Sequence, residues 1–177
     1  AFVRYHTHEG RRSYYRMRGS EVVSESDAIQ AVNHFAFVER WGLLPVELNH
    51  RMLAETHYAL AGARFKQTRP RDAREHLLEA VRLWPNYAAA EYDLGGLLIE
   101  AGDLANGIHH LNRCVVIQPD FADAHYNLAV ALAMMGRCPE ATQAIDRATD
   151  LHPTDQQTIA FRGALMAQCG SGLHLDP

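Results

Sequence analysis

The sequence has few of the residues that mark specialised classes of protein. Its three cysteines, at positions 114, 138 and 169, form no CxxC pair, so they predict no disulfide framework and indicate no compartment. The longest apolar stretches are interrupted by charge well before the roughly 20 residues that a transmembrane helix requires. Lysine occurs once, as Lys66, and the other 16 basic residues are arginine, a bias that favours a bacterial source with a GC-rich genome.

Basic residues are also too few for a nucleic-acid-binding protein. The net charge is -4, and residues 1–18 carry five arginines against Glu9, which leaves -8 for the rest of the chain. A protein that binds nucleic acid normally shows a broad basic face. We therefore expect no nucleic-acid partner, and we interpret residues 1–20 as an irregular basic segment.

The chain lacks the motifs of common catalytic and cofactor sites. It contains no GxSxG, no phosphate loop ending in GK[ST] and no HExxH. His6, His8 and Glu9 lie close together in the sequence, but no second ligand pair stands at a recognisable spacing. We therefore expect no enzyme activity, no cofactor and no metal site.

Proline recurs at a fixed interval along the chain. The segments "RLWPNY", "VIQPDF" and "DLHPTD" place their prolines, Pro85, Pro119 and Pro153, 34 residues apart. Because proline lacks an amide donor and disfavours helical geometry in the preceding residue, each should end a helix at the same point of a repeat. Aligned on these prolines, the units are 54–87, 88–121 and 122–155.

Each unit has apolar and small residues at helical spacing, followed by a turn. One such stripe cannot be buried by a single helix pair, so the units are expected to stack. We expect Gly102 and Gly136 to adopt the left-handed conformation that ends a helix. We interpret Arg64, Thr68 and Gly107 as departures from the residue pattern, each of which weakens a single position. The pattern residues of the third unit are Leu128, Ala129, Leu132, Gly136, Ala141, Ile145, Ala148 and Pro153.

This pattern resembles the tetratricopeptide repeat family over the 102 residues of the three units. The resemblance implies an all-α fold, a right-handed superhelical α-solenoid of antiparallel helix pairs. It also implies a protein–protein interaction module that binds a peptide or protein partner in a concave groove lined by the first helix of each unit.

The segments on either side of the units are expected to continue the helical array. Residues 21–53 are predicted to form a degenerate repeat or capping helices, with a helix N-cap at Ser26 or Asp27. The run "VELNHRMLAETHYALAGARFKQ" indicates one long helix that extends the first unit backwards. Residues 156–177 are predicted to form a capping helix and a tail, and the terminal helices leave homo-oligomerisation open as an alternative.

Tyrosine occupies one groove position in all three units, and it is expected either to support the neighbouring repeat or to contact a ligand. The face also carries Glu55 and Asp123, so it is aromatic, apolar and mildly acidic. A clamp for acidic peptide tails is therefore not expected, and a partner with hydrophobic and basic residues fits better. The predicted groove residues are Tyr58, Phe65, Lys66, Tyr92, Ile99, Glu100, Tyr126, Asn127 and Met134.

Other residues are expected to have structural roles only. His76 and His110 occupy the same repeat position, and we expect both to be solvated on the convex side. Cys114 falls at a small-residue position of its unit and should be buried in the core.

A second hypothesis is that the chain is a recruitment or spacer domain of a larger bacterial envelope enzyme, such as a membrane glycosyltransferase or polymerase. The chain begins at Ala1 rather than methionine, which favours a mature form or an excised piece. Its segment "RRSYYRMR" has the composition of a membrane-span flank, which would place the chain near a membrane. Cytoplasmic and periplasmic locations of a soluble bacterial protein both stay open.

Overall fold

The computed structural model describes residues 24–42 and 45–170, which form eight helices and no strand. The chain divides into two compact units, Ala1–Ala90 (the N-terminal unit) and Glu91–Pro177 (the C-terminal unit). The predicted all-α repeat fold is confirmed. The basic segment 1–20, which contains His6 and His8, lies outside the described residues. The helices are α1 Glu25–Arg40, α2 Val46–Lys66, α3 Pro70–Leu83, α4 Ala88–Glu100, α5 Leu104–Ile117, α6 Ala122–Met134, α7 Cys138–Leu151 and α8 Gln156–Gly170.

In the N-terminal unit, α1 packs on α2 and α2 packs on α3. The predicted long helix is present as α2. The predicted N-cap is wrong, because the Ser24 hydroxyl accepts the hydrogen bond from the Asp27 amide at 3.4 Å, and Ser26 and Asp27 lie inside α1. The residues of the core cluster are Ala28, Ala31, Phe35, Leu53, Ala54, Leu60 and Leu83.

The three prolines end the second helix of each unit, as the sequence predicts. Helices α3, α5 and α7 each stop two residues before a proline. The intervening residues, Trp84, Gln118 and His152, have φ between -133° and -128° and ψ between 74° and 87°. These values lie outside the helical region that a following proline disfavours.

The turns between the paired helices share one backbone conformation. Gly102 and Gly136 have φ of +83° and +71°, which confirms the left-handed geometry predicted for them. Thr68 occupies the equivalent position of the first unit with φ of +57°. A β-branched residue is strained in this conformation, so the first turn keeps the shared geometry at an energetic cost.

Gly107 is a tight packing position between α4 and α5. A Cβ atom added there would lie 2.6 Å from Ile99 Cγ1 and 3.0 Å from the Gly95 carbonyl oxygen. The two helices therefore approach each other across a pair of glycines, and the Ile99 side chain covers the space that an alanine methyl group would need. The interpretation of Gly107 as a weakening departure is corrected by this contact.

In the C-terminal unit, α5 packs on α6, α6 on α7 and α7 on α8. A disulfide joins Cys138, at the start of α7, to Cys169, near the end of α8, with Cα atoms 5.8 Å apart. The spacing of the cysteines did not indicate this single disulfide, because only the packing of α7 against α8 brings the two distant positions together. Cys114 is buried as predicted, and burial raises the pKa of its thiol to about 11.

Candidate interaction surface

In the C-terminal unit, Tyr92 and Tyr126 each contact the helix pair that follows their own. The Tyr92 ring lies on Phe121, with centroids 4.7 Å apart, and its hydroxyl accepts a hydrogen bond from Asn127 Nδ2 at 3.1 Å. The Tyr126 ring lies 5.4 Å from Phe161, and its hydroxyl accepts a hydrogen bond from Gln157 Nε2 at 3.1 Å. We name Tyr92, Tyr126, Asn127 and Gln157 the tyrosine surface.

These contacts give both tyrosines a structural role and leave part of each ring accessible. Both side chains are half-buried. Burial raises the pKa of Tyr92, and the nearby carboxylates of Asp123 and Asp93 act in the same direction, whereas the Asn127 hydrogen bond opposes them. The Tyr92 hydroxyl therefore keeps its proton at neutral pH and can donate it to a ligand.

The N-terminal unit places Tyr58 in an aromatic cluster. Its ring lies 5.1 Å from that of Tyr87, and Tyr87 stacks on Trp84 with ring centroids 4.6 Å apart. The Arg51 guanidinium lies over the Trp84 ring, 4.4 Å from the ring centroid. Tyr58 is thus half-buried and supported by rings, as the two tyrosines of the C-terminal unit are.

The first helices of the units also have unobstructed glycine positions and exposed apolar side chains. A Cβ atom at Gly62 or Gly96 would meet no atom within 4 Å, so the helix surface one turn after Tyr58 or Tyr92 is unobstructed. Phe65 and Met134 expose 53% and 62% of their surface at the ends of α2 and α6. Among the other predicted groove residues, Lys66 and Glu100 are exposed, Asn127 is half-buried, and Ile99 packs against Gly107.

A buried carboxylate in α4 was missed by the sequence analysis. Glu91 is 1% exposed, and its oxygens lie 2.7 Å from His110 Nδ1 and 2.6 Å from Arg113 Nε. Burial alone would raise the pKa of Glu91, but the hydrogen bonds from His110 and Arg113 outweigh it and the pKa lies below its ordinary value. The expectation of a solvated His110 is wrong, since its ring faces α4 and is half-buried.

The equivalent positions of the first unit hold a pair of histidines. His76 Nδ1 lies 3.2 Å from His57 Nδ1, so His76 is not simply solvated as expected. Burial is the main cause that lowers the pKa of His57 to about 4, and the neighbouring His76 acts in the same direction. His57 and Glu91 are 34 residues apart, as are His76 and His110, so the repeat alignment was the signal that could have revealed both contacts.

The described ranges, 24–42 and 45–170, contain neither a metal-binding cluster nor a membrane-spanning helix. No group of three or more His, Cys, Asp or Glu side chains is arranged to hold a metal ion. No helix in these ranges combines the length and apolar character that crossing a bilayer requires.

Two models of the tetratricopeptide repeat match the chain, one over residues 58–115 and the other over residues 98–169. Together they cover the span from 58 to 169, which contains nearly all of the three units deduced from the prolines. No curated protein sequence matches the chain.

Several solved structures share the fold. A crystal structure of MamA protein is 21% identical with a TM-score of 0.66, and the match covers 95% of this chain and 82% of that one. The first TPR of Spaghetti (RPAP3), bound to HSP90 peptide SRMEEVD, is 14% identical with a TM-score of 0.63, covering 66% and 93%. YrrB, described as a TPR protein with an unusual peptide-binding site, is 21% identical with a TM-score of 0.59, covering 79% and 75%.

Proposed function

Because the chain belongs to the tetratricopeptide repeat family, we propose that it is a non-catalytic interaction module whose tyrosine surface binds an extended segment of a partner protein. The repeat family supports a protein–protein interaction role in general. Two of the structures with the same fold are described as peptide-bound or as having a peptide-binding site, which supports an extended segment as the ligand.

The observation that carries the proposal is the repeated support of Tyr92 and Tyr126. Each ring is held against a second aromatic ring, and each hydroxyl is held by an amide from the next first helix. Side chains that are fixed before binding lose little conformational entropy when a ligand arrives. Tyrosine also offers a large rigid surface with a polar end, which is why it is frequent among residues that dominate binding energy.

The proposed contact set keeps the groove residues deduced from the sequence, with one change of role. Tyr92, Tyr126, Asn127 and Met134 are proposed to contact the partner, and Glu100 lies at the margin. Ile99 is proposed to act indirectly, because its side chain packs against Gly107 and supports α4 from the inside. In the N-terminal unit, the equivalent proposed contacts are Tyr58, Phe65 and Lys66.

Gly96→Gln tests this proposal without removing any packed side chain. The position is open, and glutamine is a better helix former than glycine, so the variant should gain roughly 0.5–1 kcal/mol in folding stability. Its long side chain would cover the helix surface one turn after Tyr92. We expect proteins captured from a lysate by the native chain to be lost with Gly96→Gln, as measured by quantitative mass spectrometry.

Gly163→Gln in α8 is the matched control. Gly163 is also open, but it corresponds by the 34-residue repeat to Ala129 and Gly95, and Gly95 faces α5 rather than the tyrosine surface. This variant should gain similar stability and retain the captured proteins. Equal capture by Gly96→Gln and Gly163→Gln would show that the tyrosine surface is not the binding site.

A further inference from the structure

The two units differ in charge although they share one repeat. Residues 24–90 contain eight acidic and eight basic residues, whereas residues 91–170 contain ten acidic residues and four arginines, a net charge of -6. Three of those arginines bind carboxylates within the unit: Arg113 binds Glu91, Arg137 binds Glu140 and Arg162 binds Asp146. The described part of the C-terminal unit therefore contains a large excess of acidic over basic residues.

The excess is present on the helices that form the tyrosine surface. Helices α4 and α6 contain no arginine or lysine, and their acidic residues include Asp93, Glu100 and Asp123. The Asp123 carboxylate is close enough to Tyr92 to raise the pKa of that phenol. The charge of Asp123 therefore acts on one of the two tyrosines.

Asp123 also lines a cavity that borders the tyrosine surface at Gln157. A cavity of about 530 Å³ is lined by Asp123, Asp155 and Gln157, and Gln157 donates the hydrogen bond to the Tyr126 hydroxyl. Asp155 caps α8 by accepting a hydrogen bond from the Thr158 amide at 3.0 Å. No arginine or lysine is among the residues that line the cavity, and its other polar lining residues are His152, Thr154 and Gln157.

We infer that the segment bound by the tyrosine surface is basic, and that an arginine or lysine side chain of the partner enters the cavity beside Asp123. This inference rests on the proposed function and names the chemistry of its partner. A cationic side chain would meet the carboxylates at its charged end, and the faces of the tyrosine rings attract cations as well. The apolar stem of the same side chain would cover the half-buried rings.

Two synthetic peptides that differ only in charge provide the test. The fluorescein-labelled peptides GRLFARLG and GELFAELG are titrated with the full chain, and binding is followed by fluorescence anisotropy at low and at physiological ionic strength. We expect the basic peptide to bind at least about tenfold more tightly than the acidic one, with a preference that shrinks as salt is added. Equal affinities, binding of only the acidic peptide, or binding of neither would overturn the inference.

Asp123→Arg and Asp150→Arg separate a local contact from general attraction to an acidic protein. Both variants change the net charge equally, but Asp150 lies on α7 and lines a different cavity. We expect about a tenfold loss of basic-peptide affinity for Asp123→Arg and less than about a twofold loss for Asp150→Arg. Similar losses in both variants would overturn the inference.

Asp123→Asn is a milder substitution at the same position, and Gly96→Gln tests separately whether the tyrosine surface binds the peptide. Asp123→Asn replaces Asp123→Arg if melting curves show unfolding, with an expected loss of about threefold. If Gly96→Gln abolishes binding and the Asp123 variants do not weaken it, the tyrosine surface binds a partner but the basic chemistry is wrong. If neither position matters, both proposals are wrong.

Discussion

The two units use the same pair of repeat positions for different polar chemistry. In the N-terminal unit these positions hold His57 and His76, whose facing nitrogens lie 3.2 Å apart. In the C-terminal unit they hold Glu91 and His110, and Arg113 adds a second hydrogen bond to the buried carboxylate. The repeat therefore determines which positions face each other across a helix pair, but not whether the contact is neutral or ionised.

This difference has a thermodynamic consequence. A histidine pair with one hydrogen bond between ring nitrogens needs at least one neutral ring, because one nitrogen must accept the proton of the other. A buried glutamate bound by a guanidinium is stabilised as the charged form. Both arrangements lose stability when the protein is acidified, but they do so over different pH ranges.

The largest expected effect comes from breaking the ionised contact. Glu91→Ala should lower the free energy of unfolding by about 3 kcal/mol, because His110 and Arg113 lose a buried partner and the variant leaves a cavity. Urea unfolding followed by circular dichroism measures this loss.

Glu91→His tests the same comparison, since it creates in the C-terminal unit a pair of histidines like that of the N-terminal unit. It should recover part of the loss through a contact with His110 like the one between His57 and His76. A loss below about 1 kcal/mol for Glu91→Ala would show that the buried contact contributes little to stability.

The second effect is a difference in acid sensitivity. The folded-state pKa of His57, about 4, lies below its ordinary value of 6.5. The unfolded chain therefore binds more protons between these values, so the contribution of neutral His57 is complete above pH 6.5 and falls as the pH drops towards 4. Because the side chain is partly exposed and Glu79 opposes the shift, we expect a loss of about 2 kcal/mol at most.

The lowered pKa of Glu91 acts in a more acidic window. Its contribution is complete above the ordinary glutamate pKa of 4.5 and is lost only as the pH falls below it. Hydrogen exchange between pH 7 and pH 4.5 should therefore show α2 and α3 losing protection before α4 and α5. His57→Gln should remove that difference, and equal protection losses in the native protein would contradict the prediction.

The smallest effect concerns the turn that lacks glycine. Thr68→Gly should raise the stability of the N-terminal unit by about 1 kcal/mol, because glycine adopts the positive φ of this turn without strain. The lost hydrogen bond from the Thr68 hydroxyl to the Gln67 carbonyl reduces the gain. Thermal melting provides the measurement, and Gly102→Thr is the reciprocal control, with a loss of similar size.

The repeat fold could be predicted because proline and glycine determine the local backbone conformation directly. Pro119 restricts Gln118 and Gly102 accepts a positive φ whatever surrounds them, so local sequence is enough to fix the helix ends. Only part of the candidate surface could be predicted from local sequence. The repeat alignment identifies Tyr92 and Tyr126, but whether these rings support a neighbour or face solvent depends on Phe121 and Phe161 in other helices.

The remaining features depend on which side chains meet across helices. Glu91 looks like an ordinary exposed glutamate of a first helix until His110 and Arg113 are placed opposite it. Likewise, the N-cap at Ser24 depends on where α1 begins, and several polar residues near that point satisfy the same local rule. In such cases local sequence offers alternatives, and packing selects one.

The disulfide between Cys138 and Cys169 also has a mechanical consequence. Tension applied through the two ends of the chain would pass across the sulfur–sulfur bond and leave α7 and α8 without load. The two cysteines are 31 positions apart, which corresponds to about 100 Å of extended chain that force alone cannot release. A stretching experiment would therefore record a contour length shorter by this amount until a thiol reductant cleaves the bond, and the last two helices would then extend as well.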